Sequence, residues 1–87
     1  MNQKEFEAAL KQIDTGSWKI HVNESSDGAM RRGCYLENGI WKVYETDAKR
    51  RMKILYKSRS EEQAFDWLYQ LLIKSATKKK WYEFWKH

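Results

Sequence analysis

The sequence is poor in the residues that most often announce a function. Its single cysteine, Cys34, cannot form an internal disulfide, which excludes a disulfide-stapled secreted scaffold. Its two histidines, His21 and His87, leave no His or Cys pair at metal-ligand spacing and no visible nucleophile constellation. Four glycines build no phosphate-cradling loop. Leu71-Leu72-Ile73 is as long as any apolar run in the chain, far short of a transmembrane helix. The opening Met-Asn-Gln-Lys-Glu-Phe-Glu lacks the apolar stretch of a signal peptide, so the expected location is the reducing cytoplasm. These absences argue against an enzyme, and no metal or cofactor is expected.

What is present is aromatic and basic. At 87 residues the chain is read as a single domain, with residues 74–87 as a basic-aromatic C-terminal extension, expected to be helical. Apolar residues make up 41% and aromatics 15%, too many for a disordered chain and enough to fill a small core. The net charge of +5 is uneven: −2 over residues 1–30, +5 over 31–57, −2 over 58–73 and +4 over 74–87. Concentrated positive charge suits an anionic partner, either nucleic acid or an acidic protein surface; the plain alternative is a solubilising face.

Residues 3–14 read as an amphipathic helix, because Phe6, Ala9, Leu10 and Ile13 recur at helical spacing, with Gly16 as its stop. Trp18-Lys-Ile20-His-Val22 alternates like a half-buried strand, and 23–32 is polar loop. Asn38-Gly39 between Cys34–Glu37 and Ile40–Glu45 is a hairpin signal, since a type I′ turn needs positive φ at both central residues. It pairs Leu36 with Trp41 and Cys34 with Val43. A four-residue turn at 46–49 then pairs Val43 with Met52 and Trp41 with Ile54. Both turns put Cys34, Leu36, Trp41, Val43, Met52, Ile54 and Tyr56 on one face, joined by Trp18, Ile20 and Val22. Ser60-Glu-Glu-Gln63 fits a capping box, and Ala64, Phe65, Leu68, Leu71, Leu72 and Ala76 form the stripe of a second helix. The expected fold is α+β: a four-stranded antiparallel meander with N- and C-terminal helices packed on one face, in the order α-β-β-β-β-α.

The opposite face would then be open, carrying Lys19, His21, Tyr35, Glu37, Lys42, Tyr44, Arg51 and Lys53, with Lys42 opposite Lys53. Tyr among Lys and Arg suits RNA by stacking and charge, or a protein partner that uses Tyr and Arg as anchors. Residues 78–87 follow three lysines with four aromatics, Trp81, Tyr82, Phe84 and Trp85. These would pack over the core or join a second chain in a homodimer. A third reading, contact with an anionic membrane surface, lacks a second membrane signal. Cys34, facing the core, reads as a small core residue rather than a catalytic thiol.

The run Gly33-Cys-Tyr35-Leu-Glu-Asn-Gly39-Ile-Trp41-Lys-Val-Tyr44-Glu-Thr-Asp47, followed by Ser60-Glu-Glu-Gln-Ala64-Phe65-Asp-Trp-Leu68-Tyr-Gln-Leu71, resembles small bacterial immunity proteins of polymorphic toxin and contact-dependent growth inhibition systems. The resemblance covers residues 33–72 and does not extend to the tail. It implies a cytoplasmic antitoxin that neutralises one cognate toxin domain, frequently a nuclease, by stoichiometric protein binding. A basic antitoxin would suit a toxin with an acidic patch. Expected toxin contacts are Lys19, His21, Tyr35, Lys42, Tyr44, Arg51 and Lys53. The competing expectation is a small nucleic-acid-binding module using the same face.

Overall fold

The computed structural model describes the backbone of residues 1–85 and the side chains of residues 1–74. The order is α1 (Gln3–Leu10), β1 (Lys19–Val22), β2 (Arg31–Glu37), β3 (Ile40–Thr46), β4 (Met52–Ser58) and α2 (Glu61–Trp85). The four strands form one sheet in the order β1-β2-β3-β4, with the helices on one side, an α+β architecture.

Each helix start has a local cause. Asn2 caps α1, accepting from the Glu5 amide at 2.8 Å while the Glu5 carboxylate accepts from the Asn2 amide at 2.9 Å. This helix ends at Leu10, short of residue 14, because Gln12 and Ile13 donate to carbonyls only three residues back. Half of the expected box at α2 forms: Ser60 Oγ accepts from the Gln63 amide at 3.3 Å. The Gln63 side chain instead accepts from Ser58 Oγ at 3.0 Å, and Ser58 Oγ also accepts from the Ser60 amide. A Glu61 carboxylate oxygen takes the Gln3 amide at 3.1 Å, linking the two helix starts.

Phe6, Cys34, Val43, Ala64, Phe65 and Leu68 are fully buried between sheet and helices, with Trp41 and Leu72 nearly so. Phe65 is central, with its ring 5.2 Å from Phe6 and 5.4 Å from Trp41. Tyr56 stacks flat on Trp67 at 5.4 Å, which joins β4 to α2. Arg32 also lies on this side, bonded to Glu45 at 2.9 Å and set over the Trp18 ring at 3.9 Å. The Ala76 position and the tail side chains Trp81, Tyr82, Phe84 and Trp85, expected in core or dimer packing, lie outside the residues whose side chains are described.

The β2–β3 hairpin has the expected register, with Leu36 opposite Trp41 and Cys34 opposite Val43. Asn38 and Gly39 have φ of 53° and 76°, as the tight turn requires. Two features differ from expectation. β1 pairs with β2 in parallel, Lys19 opposite Arg31 through Val22 opposite Cys34, so the sheet is mixed rather than wholly antiparallel. The segment 23–30 therefore crosses back over the sheet instead of making a hairpin. The β3–β4 register also moves. The turn closes at Thr46–Met52, and a bulge at Val43/Tyr44 puts Tyr44 opposite Ile54 but Val43 opposite Tyr56. Tyr56 keeps its place on the helix side; Met52 and Ile54 join the outer side. Met52 is 42% exposed, and Leu36, beyond the helices' cover, is 49% exposed.

Candidate interaction surface

The outer side of the sheet is half covered. The crossover folds over it and is held by three bonds: Tyr44 Oη donates to the Glu24 carbonyl at 3.0 Å, Thr46 Oγ1 donates to the Gly28 carbonyl at 2.7 Å, and the Met30 amide donates to the Asp47 carbonyl at 3.3 Å. Thr46 Oγ1 also accepts from the Arg31 amide at 2.8 Å. Tyr44 and Thr46 are fully buried as a result. Gly33 makes room for this. A Cβ there would stand 2.5 Å from the His21 carbonyl oxygen and 2.9 Å from Tyr44 Oη.

This corrects the expected open face. Tyr44 is an internal anchor, fully buried beneath the crossover. Tyr35 is half-buried, its ring edge-on to Tyr44 at 5.6 Å. Lys42 lies between Tyr35 and Lys57 in the cross-strand row, and Glu37 bonds its ammonium and raises its pKa. Lys53 is not opposite Lys42. The bulge and the longer turn set it opposite Glu45, on the helix side. Arg51 is exposed in the turn before β4, its Nε bonded to Asp47 at 3.2 Å. The Asp47 carboxylate also accepts from the Arg51 and Lys49 amides, bonds that hold its pKa below the usual carboxylate value.

Lys19 and His21 stand on β1 beside Arg31 of β2. His21 Nδ1 meets Glu24 Oε1 at 2.8 Å and its Nε2 meets Arg31 Nη1 at 3.4 Å. With Nδ1 assigned as the donor to the carboxylate, Nε2 is the acceptor for the guanidinium. Reading 23–32 as loop hid Arg31, although its cationic neighbourhood was visible as charge. The same holds for Lys49, Arg50, Lys57 and Arg59, which are exposed on and around β4 in a stretch with no acid between Asp47 and Glu61.

Cys34 is fully buried, and burial pushes its thiol up to about 12, so it carries almost no thiolate at neutral pH. Among the described residues, no group of three His, Cys, Asp or Glu could hold a metal ion. No helix among them is long and apolar enough to cross a membrane. The arrangement offers charge and hydrogen-bond donors on a rigid frame, chemistry suited to binding. No protein-family model matches the chain, nor does any curated protein or solved structure.

Proposed function

We propose that this protein is an immunity protein that binds a cognate bacterial toxin domain, an acidic-patched nuclease being the best fit, and neutralises it stoichiometrically in the cytoplasm. The observation that carries the reading is a packed scaffold with exposed cations left without acidic partners among the described residues, including Lys49, Lys57 and Arg59. Such charges steer association with an acidic surface. The resemblance to immunity proteins supports it at the level of the scaffold. Its residues Gly33, Trp41, Tyr44, Ala64, Phe65 and Leu68 are all buried. They specify the frame, leaving partner contacts to the exposed surface. The nucleic-acid reading keeps its charge but loses a stacking platform, because Tyr44 is buried and Tyr35 leans on it.

Co-expression with the toxin encoded beside it tests this reading, and cells should survive only when the chain is present. A tagged capture at moderate salt should return one stoichiometric protein and little absorbance at 260 nm. Nucleic acid that washes off steeply with salt, with no protein partner and no rescue, overturns the proposal in favour of a nucleic-acid module.

A further inference from the structure

The edge of β1 combines three features that no internal contact resolves. First, β1 ends the sheet, so the outward N–H and C=O groups of Lys19–Val22 face no further strand. Second, an open cleft of about 410 Å³ lies along this edge. Its lining is apolar on the helix side, from Leu10, Trp18 and Ile20, with Thr15 beside them, and cationic on the outer side, from Lys19 and Arg31, with the His21 imidazole between Arg31 and Glu24. Third, the cationic side is not neutralised. Lys19 and Arg31 are direct cross-strand neighbours, a like-charge pair that opposes folding unless an anion joins it. Arg31 Nε is buried with no hydrogen-bond partner, which carries a desolvation cost. Among the described residues, the carboxylate bonded to this group is that of Glu24, on the far nitrogen of His21.

We infer that the β1 edge receives an extended segment of a protein partner as a fifth strand, in which acidic side chains alternate with apolar ones. The inference deepens the proposed function and rests on it for the partner being a protein. Side chains of a strand alternate between the two sides of a sheet. One set would meet Lys19 and Arg31, the other the shelf of Leu10, Trp18 and Ile20, and the main chain would satisfy the edge. A second copy of this chain pairing through β1 would bring Lys19 and Arg31 against the same charges. A nucleic-acid backbone offers phosphate acceptors but no donors for the outward carbonyls, and nothing for the apolar shelf.

The test is an NMR titration of the isotope-labelled full chain with the peptide acetyl-Thr-Glu-Val-Glu-Val-Thr-amide. Saturable shifts at the amides of 18–22 and 31 are expected. Of two N-methylated versions, methylated at the glutamates or at the valines, one should bind and the other should not, because only alternate amides face the sheet. Lys19→Glu should weaken binding about tenfold, the scale of one charge-assisted contact, with a melting temperature that does not fall, because the like-charge pair with Arg31 is relieved. A Thr-Lys-Val-Lys-Val-Thr peptide should not bind. The inference is overturned if no shifts appear at β1, if both N-methylated peptides bind alike, or if inorganic phosphate or oligouridylate shifts the same amides as tightly. Failure here with toxin rescue intact overturns strand addition alone. Loss of rescue with peptide binding intact overturns the immunity reading alone.

Discussion

The Tyr44 hydroxyl donates a 3.0 Å hydrogen bond to the Glu24 carbonyl, tying the crossover between β1 and β2 to the central strand beneath it. Tyr44→Phe keeps the ring and removes the bond. It should cost about 1 kcal/mol in chemical denaturation and speed amide exchange in the crossover selectively. Unchanged exchange there would mean that Thr46 and the Met30 amide hold the segment without it.

Gly33 lies under the same anchor. Gly33→Ala brings a Cβ to 2.5 Å from a backbone carbonyl that cannot swing away, so β1 and β2 must separate. The expected loss is roughly 1–3 kcal/mol, read as a lowered melting temperature. The double variant with Tyr44→Phe should not recover it, because the closer clash is with His21.

Alkaline pH should weaken the fold. Burial lifts Cys34 from 9.0 and Tyr44 from 10.0, each to about 12. The unfolded chain therefore releases these protons first, and the native state holds more of them between pH 9 and 12. Their contribution to stability is full below pH 9 and falls as pH rises through that window. Cys34→Ala should move the onset of the fall from near pH 9 to near pH 10 in a series of denaturation curves. A thiol reagent should label Cys34 in the native protein only as fast as the core opens.

Glu45 holds the Arg32 guanidinium under Trp18, with the Arg32 side chain only 10% exposed. Glu45→Ala removes this charge-assisted bond from the guanidinium. A loss of roughly 1.5–3 kcal/mol is expected, with quenching or shift of Trp18 fluorescence as its ring is released.

The hairpin of β2 and β3 and the start of α2 are legible in the sequence because their causes are local. Asn38-Gly39 sets its own register, and Ser60 takes the Gln63 amide within one turn. The next turn shows where locality runs out. Asp47 closes it on Arg51, accepting from its amide and donating to its carbonyl, with Arg50 at a φ of 67°. This longer turn and the bulge in β3–β4 trade places between side chains. Lys57 faces Lys42, and Lys53 goes to Glu45. A pattern of alternation cannot report an extra residue within a strand.

Element order, the aromatic core and the excess of positive charge are readable along the chain, since periodicity and composition act residue by residue. The parallel direction of β1 arises only in the folded molecule, because strand direction depends on where a crossover can lie down. Gly33, Tyr44 and Thr46 together give the 23–30 segment its seat on the outer face. That seating buries one expected contact, Tyr44, and brings Lys19 beside Arg31 at the edge of the sheet.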